Sequence, residues 1–104
     1  VAEARTWLGT PFHHQGSLKG VGCDCIGLVK GVGLALGILD YDPASPEAQP
    51  YLAYSRMPDP KMMRRALSTF FVPVPVADVL PGDFYYMAWI REPQHVALVT
   101  DTGI

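Results

Sequence analysis

The chain has 104 residues, 49% of them hydrophobic, and a formal net charge of −2. That length suits one domain with a modest core, and the lack of a basic excess argues against a broad nucleic-acid surface. Lys61, Arg64 and Arg65 make the one basic cluster, better explained as a solvated helix face. The apolar stretch at 26–39 is too short to span a membrane and is interrupted by Gly27, Gly31, Gly33 and Gly37. No signal-peptide pattern is visible at the start. The chain opens on Val1 rather than Met and stops four residues after a strand pattern, so it is expected to be a segment of something longer.

Residues 1–8 carry Val1, Ala4 and Leu8 at helical spacing, with Trp7 beside them; Gly9 and Pro11 end this first helix. Residues 12–21 read as a loop. Residues 24–39 read as the central helix, apolar nearly all round and therefore buried. Asp24 is its N-cap. Gly27 and Gly31 lie on one face, each costing about 1 kcal/mol of helix propensity against Ala, so a close approach of another backbone is expected there.

Residues 40–60 are irregular and rich in proline, a length of loop that often shapes a binding site. A second amphipathic helix is predicted at 60–70, with Asp59 as cap and Pro60 in its first turn. Residues 72–76 alternate Val and Pro and read as an extended edge or linker. Leu80, Pro81, Gly82 and Asp83 form a turn. Strands at 84–90 and 95–100, joined by a loop at 91–94, complete an antiparallel hairpin.

Cys23 and Cys25 are one residue apart, a spacing that rarely satisfies disulfide geometry. A cysteine in the first turn of a helix meets unsatisfied N–H groups and the positive end of the helix dipole, which favour thiolate, the nucleophilic form. Gly22 and Gly27 leave room for a substrate backbone near Cys25, and the helix-start amides can donate to an oxyanion. The plainer reading is a small buried hydrophobe, the usual fate of a lone free cysteine. Cys23, which precedes the cap, suits that reading best. His95 opens an apolar strand, from which an imidazole can face a helix and serve as a base. A solvent-facing histidine at a loop end is the alternative. His13, His14, Cys23 and Cys25 could be read as zinc ligands, but their spacing does not match the paired-ligand patterns. Substrate contact or loop packing suits His13 and His14 better.

Three anchors in chain order resemble the NlpC family of cell-wall cysteine peptidases, a papain-like group: Gly9-Thr10-Pro11-Phe12, then Asp24-Cys25-Ile26-Gly27-Leu28-Val29, then Leu80-Pro81-Gly82-Asp83 followed by His95-Val96. The stretch His14-Gln15-Gly16 and the form Gly22-Cys23-Asp24-Cys25 look most like members carried by phage tails. The resemblance implies a single α+β domain over residues 1–104, with the nucleophile helix packed on a small antiparallel sheet. It implies a thiol peptidase cutting stem peptides of bacterial peptidoglycan, often at a γ-D-glutamyl bond, with no cofactor or metal. Cys25 would be the nucleophile and His95 the base and later the acid; Asp24, Phe12 and His14 would meet the substrate. Tail or baseplate proteins would be its partners and the bacterial envelope its place of action.

Three departures accompany the resemblance. Ile26 stands where the family has Ser, Phe12 where it has Tyr, and the polar residue that orients the histidine is expected beyond Ile104. A structural tail or hub component that keeps the peptidase fold, with little or no catalysis, is the competing expectation. Acyl transfer or amidase chemistry on the same pair is a third.

Overall fold

A computed structural model of the chain describes residues 1–40, 42, 54, 59–88 and 93–104. The chain divides into two compact units, Ala2–Met57 and Pro58–Ile104, Val1 being grouped with the second. Among the described residues both are mixed α and β, and each holds one two-stranded antiparallel sheet. No helix among the described residues is long and apolar enough to cross a membrane.

In the first unit the opening helix is shorter than predicted. Helix α1 is Ala2–Arg5. Beyond it, Thr6, Trp7 and Leu8 bond back three residues, at 3.0, 3.0 and 3.2 Å. The Thr6 hydroxyl competes for the Glu3 carbonyl at 2.7 Å, and Gly9 turns the chain at φ 83°. Residues 12–21, expected to be a loop, contain part of a hairpin: β1 (Ser17–Leu18) pairs with β2 (Gly22–Cys23), Ser17 opposite Cys23 and Leu18 opposite Gly22. Phe12 bridges Cys23 in parallel on the other side.

Helix α2 is Cys25–Ala35, capped by Asp24 as predicted but ending four residues before the expected Leu39. Gly37, at φ 66°, takes the left-handed conformation that stops helices. Its N–H meets the Leu34 carbonyl at 3.1 Å while that of Ile38 returns to Gly33 at 2.9 Å, so the last carbonyls are satisfied. The expectation of a helix buried all round is also corrected. Val29 and Val32 are buried, yet Leu34, Leu36 and Ile38 stay exposed and Lys30 is buried instead.

The backbone approach predicted at Gly27 is present, whereas at Gly31 the close neighbour is a side chain, the Trp7 ring. A Cβ on Gly27 would stand 1.7 Å from the Gly16 carbonyl oxygen, and one on Gly31 would stand 2.1 Å from the Trp7 ring. Helix α2 therefore packs on α1 and on its own β1–β2 hairpin. The described residues hold two small antiparallel sheets, and the one against α2 is this hairpin. Trp7, Val29, Val32 and Leu39 form this unit's core. The Trp7 indole N–H donates to Glu3 at 3.3 Å. Burying an indole removes enough surface to contribute about 5 kcal/mol as an upper estimate.

In the second unit α3 is Pro60–Phe70, the predicted span. The Asp59 carboxylate accepts from Lys61 N–H at 2.9 Å, Pro60 occupies the first turn, and Met63 is buried. From Phe71, extended at φ −132° and ψ 152°, the chain passes without regular structure to Pro75 and into a short 3-10 turn, Val76–Asp78. The predicted turn at Leu80–Asp83 closes through Asp83 N–H to Leu80 at 3.0 Å, with the Asp83 carboxylate taking Leu80 N–H at 2.9 Å. Strand β3 (Phe84–Ala88) pairs antiparallel with β4 (Pro93–Leu98), Tyr86 opposite Val96 and Met87 opposite His95. Residues 89 and 90 of the predicted first strand lie outside the described residues, and the second begins two residues before His95. Helix α3 covers this sheet: Val96 is buried, and the Tyr86 hydroxyl donates to the Pro60 carbonyl at 3.2 Å.

Gly27→Ala and Gly31→Ala separate backbone contact from side-chain contact. Overpacking costs about 1–3 kcal/mol, against about 1 kcal/mol of helix propensity gained. Urea unfolding is expected to show Gly27→Ala as the more damaging change, because a carbonyl cannot swing away as an indole can. Equal stability of the two variants would refute this account.

Candidate functional site

Cys25 is the first residue of α2 and is half-exposed, its thiol free. The helical ladder begins with Leu28 N–H on the Asp24 carbonyl at 2.9 Å, and the Asp24 carboxylate takes Gly27 N–H at 2.7 Å. The amides of Cys25 and Ile26 lie ahead of that ladder, where helix starts present donors to anions. Cys23, also free and half-exposed, sits in β2; burial and then the Asp24 charge push its thiol above the ordinary value.

Asp24 is buried, and its carboxylate is the meeting point of this unit. Besides Gly27, it accepts from Gln15 N–H at 2.8 Å and from the Tyr54 hydroxyl at 2.7 and 2.6 Å to its two oxygens. Gln15 reaches it from a left-handed conformation at φ 61°, which is strained for a residue with a side chain. Its side-chain amide donates to the Tyr54 carbonyl. His14 Nδ1 is 3.8 Å from the carboxylate, and its ring meets that of Tyr54 edge-on at 5.5 Å. The Lys30 ammonium lies 5.8 Å from the Tyr54 ring centre. Burial pulls the Lys30 amine below its usual value, opposed by the Asp24 charge.

Of the residues singled out in the sequence, Cys25, Asp24, His14 and Phe12 belong to the first unit and His95 to the second. Asp24 and His14 come together. Phe12 is 79% exposed, so its ring is available to a ligand rather than used in the core. His95 is half-exposed on β4, one position from buried Val96, and alternation puts the two on opposite faces of the sheet. A recess of about 350 Å³ in the second unit is lined by Leu67, Phe71, Phe84 and Val96 among others, and His95 is not part of it. His13, His14, Cys23 and Cys25 form no metal-holding group. Tyr54, Lys30 and Gln15 were not visible as members of the Asp24 cluster: nothing local marks a tyrosine in a proline-rich segment, or a lysine on an apolar helix, as a partner of a helix cap.

No family model, curated protein or solved structure matches the chain.

The two helix caps differ in how much depends on them. Asp24→Ala removes a cap worth about 0.5–2 kcal/mol and strands further donors at about 1–3 kcal/mol each when buried. Asp59→Ala removes only an exposed cap. Chemical denaturation is expected to rank Asp24→Ala well below Asp59→Ala. Lys30 supplies a pH test. Its folded amine titrates below the unfolded value of 10.5, so the unfolded chain binds the extra proton and the penalty on the folded state lifts as pH rises towards 10.5. Lys30→Met is expected to be more stable than wild type at neutral pH, with the gap narrowing over that alkaline window; a gap that widens contradicts the assignment.

Proposed function

We propose that this chain carries the nucleophile of a papain-like cysteine peptidase acting on peptide bonds of bacterial peptidoglycan, γ-D-glutamyl bonds among them, as part of a phage or phage-like tail. The observation that supports the reading best is Cys25 at the first position of a capped 11-residue helix, half-exposed and ahead of the hydrogen-bonded ladder. The ordered resemblance of the three sequence anchors supplies the substrate class.

In this reading the Cys25 thiolate attacks the amide carbonyl carbon, forming a C–S bond and a tetrahedral oxyanion. The helix-start amides donate to that oxyanion. His95, as imidazolium, gives its proton to the amine as the C–N bond breaks. Water then attacks the thioester as His95 accepts its proton, and cleavage of the C–S bond expels the acid, which gives its proton to the released amine, and restores the thiolate beside the imidazolium. Phe12 and His14 contact the stem peptide, and partners are other tail or baseplate proteins. Asp24 would face a substrate amine only if that amine displaced Tyr54, since the carboxylate is already held by three donors. That engagement favours the second reading, a structural tail component that keeps the fold without cutting.

Release of muropeptides from purified peptidoglycan, followed by mass spectrometry, decides between the two. Cys25→Ala is expected to abolish release, His95→Ala to lower it about a hundredfold or more, and Cys23→Ala to retain it. No release by the wild-type protein, with both thiols alkylated equally slowly, leaves the structural role.

A further inference from the structure

Two thiols flank one buried anion. Cys23 and Cys25 are the chain neighbours of Asp24, and a negative charge beside a thiol opposes its ionisation. At Cys23 that opposition adds to burial, and the same anion positions Cys25 through the helix cap. Any group that draws the charge of Asp24 away from the sulfur works in favour of the thiolate.

We infer that Tyr54 is a positioning residue for the Cys25 nucleophile, its phenol donating to the capping carboxylate of Asp24 and drawing that charge away from the thiol. This rests on the reading of Cys25 as a nucleophile. The contact is close and two-sided: the hydroxyl stands 2.7 and 2.6 Å from the two carboxylate oxygens. The ring is fixed from several directions. Its carbonyl accepts from the Gln15 side chain, its face lies near the Lys30 ammonium, and its edge meets His14. Gln15 in turn adds its own N–H to the carboxylate from a strained backbone, so loop and tyrosine converge on one acceptor. Because the O–H dipole points its positive end at the carboxylate, it weakens the negative potential that reaches both neighbouring sulfurs.

The titratable and charged groups about Asp24, among the described residues, are His14 from the loop before β1, Cys23 from β2, Cys25 and Lys30 from α2, and Tyr54. From α1 and the hairpin, Glu3 and Lys19 pair with each other at 2.8 Å beside Trp7. The test begins at pH 7 and moves upward.

Alkylation rates at Cys23 and Cys25, resolved peptide by peptide in the intact chain, provide that test without any substrate. Tyr54→Phe keeps the ring and deletes the donor. It is expected to slow both thiols about threefold to tenfold at pH 7, the deficit vanishing at alkaline pH where every thiol is ionised. If Tyr54→Phe matches wild type while Tyr54→Leu is slow, the ring acts by packing alone and the inference is overturned. Where Tyr54→Phe speeds both thiols to the rate of an unfolded peptide, the phenol is also needed for the fold and the decision passes to a gentler variant. Replacement of Tyr54 by 3-fluorotyrosine, a stronger donor of nearly the same size, covers that case and is expected to quicken both thiols at pH 7; no change there also counts against it. A protein that never releases peptide from peptidoglycan still reports on Tyr54 through its thiols, so the two readings fail in separate assays.

Discussion

The first unit depends on one buried carboxylate. A charge out of water must be paired or hydrogen-bonded, because the alternative costs several kcal/mol. Asp24 meets that demand with donors from three parts of the chain: Gly27 in the helix that it caps, Gln15 in the preceding loop and Tyr54 from beyond the helix. The left-handed Gln15, with a cost of about 1–2 kcal/mol, is tolerated because a good charge-assisted bond depends on it.

Close packing around that carboxylate explains the glycines. Gly27 lies against the Gly16 carbonyl oxygen, so a hairpin of two-residue strands can seat directly on the helix start. One turn further along α2, Gly31 admits the Trp7 ring, and through it a helix of only four residues is held. Elements this short have no independent stability. They persist because the indole and the carboxylate each organise what surrounds them. The second unit works differently. Its strands are longer, its 11-residue helix matches α2 in length, its turn is closed by local bonds, and Tyr86 and Val96 tie the sheet to α3.

For the chemistry, the arrangement sets two effects against each other at one position. The helix start offers Cys25 donors and a favourable dipole, while the cap that secures those donors is an anion. A hydroxyl and an ammonium lie beside that anion, and at Cys23, on the strand side, burial first and the Asp24 charge second raise the thiol.

What the sequence by itself determined was local. Asp24 before Cys25 and Asp59 before Pro60 are caps that work through bonds to residues two or three positions away, and both act as read. Leu80–Asp83 turns as its proline and glycine require, and the aromatic-rich run that begins at Phe84 pairs as a hairpin. The glycines at 27 and 31 announced a close approach without naming the partners. Tertiary structure decided the rest. The end of α2 was overwritten in the pattern by apolar residues that continue past Gly37, although the left-handed glycine, not hydropathy, sets the stop. Lys30 was assigned to no interior, yet it is buried near an anion and an aromatic face. Tyr54 reaches Asp24 across 30 residues. Periodicity reports which face of an element is apolar, whereas the partners of a buried charge are chosen by distance in three dimensions, and a linear pattern carries no measure of that distance.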